Sequence, residues 1–320
     1  LIKTLRITLK DNIKNYRALM ADEMGKPLAQ GSSEINKCIW LCDYYITNAK
    51  SYLTSEQIET EFYKSYISFQ PLGIVFGIMP WNFPFWQVFR YAVPALIAGN
   101  GVLLKHASNV QGCANAIEEC FKDSGFPENI FKNLQIPSEM VSGVIENNKI
   151  AGVVLTGSTL AGKAVAKKAG EFLKKTVLEL GGNDPYIILD DANIDKAVEA
   201  CIESRLVNTG QSCISAKRLI VTNKNIFLFT NKLIASLKSK VVGDPYDDVD
   251  IGPLVSLIAR DEVHELVSES IKLGAKVILG GKIPKTKGAY YPITVMTNVK
   301  PGMPAFDDKI FGPVFSIIQA

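Results

Sequence analysis

The sequence predicts an α/β protein built on parallel sheet. Apolar, β-branched runs recur at 73–79 (GIVFGIM), 101–105 (GVLLK) and 152–156 (GVVLT). Amphipathic stretches of helical spacing, at 110–122 and 159–173, separate them. The runs lack alternating polar positions, so both faces of the strands must be covered, as helices cover a parallel sheet. With 320 residues, 47% hydrophobic and 21% charged, the chain is long enough for two domains.

Taken in order, Leu5, Leu9, Ile13, Tyr16 and Met20 mark a helix over 3–24 that stops at Gly25-Lys26-Pro27. A second helix is expected over 33–53. In YKSYISFQ, alternation of Tyr63, Ser65, Ile67 and Phe69 predicts a strand near 61–70. The three apolar strands and their helices follow. After VLELGGNDPYIILDD come a helix over 193–206, a cysteine loop, a strand over 217–222 and a helix over 225–239. GDPYDDVDIGPL (243–254) reads as a loop, and a long helix then runs to residue 273. AKVILGG, YYPITVMTNV and FGPVFSIIQA supply later strands, the last as an open sheet edge. A start at Leu1 and a stop within a strand give the expectation of a chain cut back at both ends.

Composition excludes several function classes. A net charge of +3 offers no footprint for nucleic acid or an anionic membrane surface. Residues 70–89 carry no charge, but Pro71, Pro80, Pro84 and two glycines break any membrane-spanning helix there. No signal-peptide pattern opens the chain. The six cysteines (Cys38, Cys42, Cys113, Cys120, Cys201 and Cys213) form no CxxC. With only His106 and His264 beside them, they predict no zinc site, and reduced thiols in a cytoplasmic setting fit them best.

Five motifs carry chemistry. In VVLTGSTLAG, a strand leads through Gly157 and Ser158 into a helix, with Gly162 one turn in. Free backbone N–H groups at such a turn suit a phosphate, although a plain αβ turn accounts for the pattern equally. Lys105 closes an apolar strand, where its charge needs a ribose hydroxyl, a phosphate or a carboxylate. No acid follows it in KHASN, which leaves NADP open beside NAD. Glu179 in LELGG ends another strand; partial desolvation there would suit a general base, and a solvent-facing carboxylate is the alternative. Asn82 in PWNFP is either an oxyanion donor or a turn residue. Cys213 in NTGQSCISAKR stands among small polar residues, with Lys217 and Arg218 favouring a thiolate; a loop cysteine without a role is the plainer reading.

In succession, PWNFP, LLKHAS, TGST, LELGG, NTGQSC and FGPV resemble the NAD(P)-dependent aldehyde dehydrogenase superfamily. WNFPFWQVFRYAVPALIAGNGVLLKHASN further resembles its succinate-semialdehyde dehydrogenase branch. The resemblance implies a Rossmann-like NAD(P)-binding domain over 1–180, with an oligomerisation strand near 61–70, and a catalytic α/β domain over 181–320. It implies that the Cys213 thiolate attacks the aldehyde, that Asn82 holds the oxyanion and that Glu179 activates the hydrolytic water. Trp81, Asn82, Lys105, His106, Ala107, Ser108, Gly157, Ser158, Leu180 and Phe311 would contact the cofactor, NAD or NADP, with no metal. Arg90 matches an arginine that binds a substrate carboxylate in part of this branch. A second such arginine corresponds to Val207 here, and the neighbouring Arg205 reads as a solvated helix-end residue.

One position departs. Where the family carries glutamate in EIFGPV, this chain reads KIFGPV, so Lys309 replaces a group that accepts hydrogen bonds from a ribose. The implied partners are a small aldehyde and further copies of the chain, as a homodimer or homotetramer, with neither nucleic acid nor membrane. Two rival readings are an acylating enzyme that uses coenzyme A and an inactive, family-derived binding protein. Glu179 argues against the first; intact Cys213, Glu179 and Asn82 argue against the second.

Overall fold

The structure, a computed structural model, describes residues 1–320. It divides into two compact units: Leu1–Met20 with Gly31–Leu180, and Ala21–Gln30 with Gly181–Ala320.

In the first unit the expected helix over 3–24 is two, α1 (Ile2–Asp11) and α2 (Ile13–Met24), whose last residues pass into the second unit. Asn12 makes the break: its N–H and side-chain amide both turn back to Thr8 O. A side chain that bonds its own backbone competes with helix continuation. The helix α3 (Leu28–Leu53) starts directly after Pro27 and buries Cys38 and Cys42 on one face. Of the strand expected near 61–70 only Ser65–Ile67 (β2) forms, paired antiparallel with Glu56–Ile58 (β1). Tyr63 lies outside it and is fully exposed. An isolated two-stranded hairpin has no covered face to extend it.

The five-stranded sheet of this unit comprises β3 (Ile74–Met79), β4 (Gly101–His106), β5 (Phe131–Asn133), β6 (Ile150–Thr156) and β7 (Lys175–Glu179). All pairings are parallel, in the order β5-β4-β3-β6-β7. The chain moves outward from β3 first one way and then the other, which is the doubly wound order with its switch point between β3 and β6. Helices α4 (Trp86–Ile97), α5 (Gln111–Asp123), α6 (Val141–Glu146) and α7 (Thr159–Glu171) make the crossovers. One face packs Phe76, Val153 and Leu155 against Ile145, Val165 and Ala169. A run of stacked rings, Phe85–Phe89–Phe121–Phe131, ties α4 and α5 to β5. The uncharged 70–89 segment is thus a strand, a turn and the start of α4, and no helix is long and apolar enough to cross a membrane.

The second unit has β8 (Pro185–Ile188), α8 (Ile194–Leu206), β9 (Arg218–Val221), α9 (Ile226–Leu237), α10 (Leu257–Lys272), β10 (Lys276–Leu279), β11 (Thr294–Thr297), α11 (Pro304–Asp307) and β12 (Val314–Gln319). Its sheet runs β10-β11-β12-β9-β8, parallel except for β10. The last strand, expected at an open edge, is the middle one and is paired on both sides. Its alternation explains the choice: Phe315 and Ile317 join the layer with α8 and α9, whereas Val314 and Ile318 join the layer with α10. A strand apolar on both faces belongs in the middle of a covered sheet. Ala21–Gln30 belongs here, which interrupts the domain expected over 1–180. Leu28 N–H donates to Pro245 O at 2.9 Å, Gln30 Nε2 to Asp250 O at 2.8 Å and Tyr246 OH to Asp22 at 2.7 Å.

Candidate active site

In the first unit the chemistry-bearing motifs all fall at the carboxyl ends of the parallel strands. Trp81 and Asn82 follow β3; Lys105 and His106 end β4, opposite Ile78 and Met79; Gly157 and Ser158 follow β6; Glu179 ends β7, opposite Thr156. Crevices at this end of a doubly wound sheet, beside its switch point, are where dinucleotides lie.

Each residue can be tested for that role. Lys105 is buried, makes no hydrogen bond or ion pair within the protein, and is held below the ordinary lysine range by desolvation, against the favourable charge of Glu139. A buried ammonium without an internal partner fits an anionic or hydroxylic ligand. Ser158 caps α7, accepting from Ala161 N–H at 3.2 Å, and Gly157 N–H is held by Glu179 O at 3.0 Å. Gly162 leaves space that the Leu180 side chain fills; a Cβ there would overlap it. Ala107 N–H returns to Met79 O at 3.0 Å, and Ser108 opens a short 3-10 turn. Lys105 thus keeps its ammonium for a ligand, whereas the Gly157 and Ala107 N–H groups, expected free for a phosphate at the first of these turns, are engaged within the unit.

His106 does not contribute its ring. The buried imidazole donates through Nε2 to Pro84 O at 2.9 Å, and Nδ1 faces Ala107 N–H at 2.9 Å. Desolvation drives it down from 6.5 to about 4, so it is neutral and fully engaged inside the unit. Glu179 departs from expectation too. Its side chain is 55% exposed, not desolvated, and lies 3.3 Å from Arg90 Nη2. The strand-end carboxylate therefore meets water and a guanidinium together. Asn82 is buried.

In the second unit Cys213 follows a strained turn. Asn208 and Thr209 take left-handed backbone angles (φ 54° and 57°), as does Gly210 (φ 77°). For a β-branched threonine this conformation is costly and has to be held by its surroundings. Asn208 Nδ2 donates to Gln211 O and Gln211 Nε2 to Asn208 O, while Gln211 Oε1 accepts from Val255 N–H at 2.9 Å. A Cβ at Gly210 would overlap the Gly312 carbonyl, so this turn lies directly against the FGPV segment. All six cysteines are free, and Cys213 is the one that is not buried.

A group of cations lies around the turn, Lys217 as expected and, against expectation, Arg205. Arg205, expected to be solvated, is fully buried. It donates to Val314 O at 2.6 Å, Ser215 Oγ at 2.7 Å and Ile310 O at 2.7 Å, and desolvation drives it down to about 9. The signal was present: Arg205 continues the buried stripe Ile194, Val198, Cys201, Ile202 along α8. Lys217 donates to Cys213 O and to Ser215 O, with Asp184 at 4.0 Å; desolvation lowers it to about 8. Lys309 stacks 4.4 Å over the Phe311 ring and is also lowered by desolvation, opposed by the charges of Cys213 and Asp184.

The profile of the aldehyde dehydrogenase family matches residues 1–320. The chain is 44% identical over 313 residues to Escherichia coli K12 succinate semialdehyde dehydrogenase [NAD(P)+] Sad, covering 98% of this chain and 68% of that one. It is 42% identical over 307 residues to a Mycobacterium avium succinate-semialdehyde dehydrogenase [NADP(+)], covering 95% and 65%. The crystal structure of Streptococcus pyogenes succinic semialdehyde dehydrogenase with NADP+ superposes with a TM-score of 0.97 at 35% identity, over 100% of this chain and 70% of that one. The chain thus spans about two thirds of the length of these relatives. Matched along its whole length, with its motifs at the strand ends and around one accessible thiol, the chain belongs to the aldehyde dehydrogenase family and is an oxidoreductase.

Proposed function

We propose that the protein oxidises succinate semialdehyde to the acid with NAD or NADP, through a thioester on Cys213. The observation that carries the reading is the contrast among the cysteines. Five are buried, and desolvation raises Cys38, Cys42, Cys120 and Cys201. Cys213 alone is accessible, on a turn held by buried side chains.

The Cys213 sulfur attacks the aldehyde carbon. Its own N–H and the Asn82 amide donate to the oxyanion as charge develops there. A dinucleotide held by the first unit would supply the hydride acceptor that leaves the acyl group on the Cys213 sulfur as a thioester. Glu179, at a hydrated strand end, takes the proton of the water that then cleaves the thioester. Arg90 supplies the cation that a distal carboxylate requires. The first unit binds the dinucleotide, through Trp81, Asn82, Lys105, the main chain of His106, Ala107 and Ser108, the Gly157–Ser158 turn and Leu180. The second unit carries the nucleophile and contributes Phe311. Assembly as a homodimer or homotetramer belongs to the same reading, supported by exposed Tyr63, Tyr66, Ile67 and Phe69 around the β1–β2 hairpin. A cytoplasmic setting is supported by six free thiols.

The test follows reduced-cofactor absorbance with succinate semialdehyde and NAD or NADP, for wild type and Cys213→Ala. Production is expected from the wild type alone and without coenzyme A. Equal rates from both proteins would remove Cys213 from the reaction, and a strict requirement for coenzyme A would reassign the second half to acyl transfer.

A further inference from the structure

Lys309 stands on a segment fixed against the nucleophile turn by two independent contacts. Arg205 reaches Ser215 Oγ, two residues beyond Cys213, with one nitrogen and Ile310 O, next to Lys309, with another, both at 2.7 Å. On the other side, Gly210 lies so close to the Gly312 carbonyl that no side chain fits between them. A buried guanidinium and a glycine contact therefore leave the 309–313 segment little room to move relative to Cys213.

Lys309 is chemically unlike the other cations of this group. Arg205 spends three donors on protein acceptors, and Lys217 is committed to two carbonyls. Lys309 makes no hydrogen bond and no ion pair; it rests on the Phe311 ring, 4.4 Å from its centroid, with the charge of Cys213 favouring its ammonium form. Burial, and to a lesser degree the charge of Arg205, disfavour its ammonium form. A primary amine whose ammonium form burial disfavours, carried on a segment fixed against the turn of a thiol that becomes acylated, is a nucleophile on the same scaffold as an electrophile.

We infer that Lys309 is an internal acyl acceptor, a modification site that takes the acyl group from Cys213 as a stable amide. The inference rests on the proposed Cys213 thioester. In the step, the Lys309 nitrogen bonds to the thioester carbonyl carbon, the carbon–sulfur bond breaks, and the amine proton passes to the departing thiolate. Nothing is oxidised or reduced. Cys213 returns as a free thiol and Lys309 loses its positive charge, so each transfer permanently alters the electrostatics beside the nucleophile. A glutamate at this position, as in the family pattern, has no such reaction open to it.

The experiment uses p-nitrophenyl acetate, which acylates thiols with neither aldehyde nor dinucleotide. Peptide mass spectrometry then follows acetyl on Cys213 and on Lys309 with time, in wild type, Cys213→Ala and Lys309→Arg. In the wild type, S-acetyl on Cys213 is expected first and acetyl on Lys309 later, faster at higher pH. Lys309 should be labelled about a hundredfold more slowly in Cys213→Ala, since the intramolecular route is lost. In Lys309→Arg the label should stay on sulfur until water removes it. Loss of S-acetyl with Lys309 unmodified, or equal labelling of Lys309 in wild type and Cys213→Ala, overturns the inference. Absence of any acetyl on Cys213 overturns the nucleophile assignment itself and takes this inference with it, so the two failures are distinguishable.

Discussion

Arg90 Nη2 lies 3.3 Å from Glu179 Oε2, so the proposed hydrolytic base and the proposed substrate cation are neighbours within the first unit. One guanidinium nitrogen is enough for that contact, which leaves the rest of the fork for a second carboxylate. Lysine at 90 keeps the charge and removes the fork. Arg90→Lys is expected to raise KM for succinate semialdehyde about tenfold, the value of one charge-assisted hydrogen bond of roughly 1.5 kcal/mol, with little change for an unsubstituted aliphatic aldehyde. Steady-state kinetics with the two aldehydes checks this; equal shifts in KM would leave Arg90 as a partner of Glu179 only.

Arg205 makes a separate prediction about stability. Its three donors serve three acceptors on different segments, two of them buried carbonyls. Lysine cannot reach all three, and each buried acceptor left without a partner costs about 1–3 kcal/mol. Arg205→Lys is expected to lower unfolding free energy by about 3 kcal/mol, read as a fall in the urea midpoint at unchanged m-value.

The buried His106 ring predicts the acid response. Its folded value of about 4 lies below the unfolded value of 6.5. The unfolded chain therefore binds the proton first as pH falls. The stabilisation is complete above pH 6.5, declines between 6.5 and 4, and is gone below. At pH 5 the loss from this residue alone is about 2 kcal/mol. His106→Asn should show a correspondingly shallower fall in urea stability between pH 7 and pH 5.

Gly210 is the tightest point of the nucleophile turn. Gly210→Ala would combine a left-handed backbone with an overlap on Gly312 O. A loss of about 3 kcal/mol is expected, together with slower alkylation of Cys213 by iodoacetamide, because the turn has to move away from its support. Wild-type alkylation rates in this variant would show that the turn tolerates the displacement.

The parts of this fold that were legible in the sequence are those where one local pattern decides the outcome. β3, β4 and β6 are continuous apolar runs; Lys105 closes β4, and the turns after β3 and β6 carry Asn82 and Gly157 in plain view. What escaped notice depends on distant partners. β5 has three residues, with charged Lys132 in the middle, and exists because Val102 and Leu104 hold it in register. β12 looked like an edge because the strands on either side of it come from far earlier in the chain and from β11. Asn12 ended a helix through a side-chain bond that apolar spacing cannot register. The burial of Arg205 followed from the apolar stripe it shares, yet a charged residue at a helix end reads by default as solvated.

The place of β12 also bears on how the second unit is assembled. Ser316 lies opposite Arg218 on one flank and Met296 on the other, so this ribbon joins two half-sheets that otherwise do not meet. Before it docks, β9 presents a bare hydrogen-bonding rim, and the apolar layers above and below lack their middle. The β9–β12 pairing closes a very long loop, a non-local contact of the kind that slows folding.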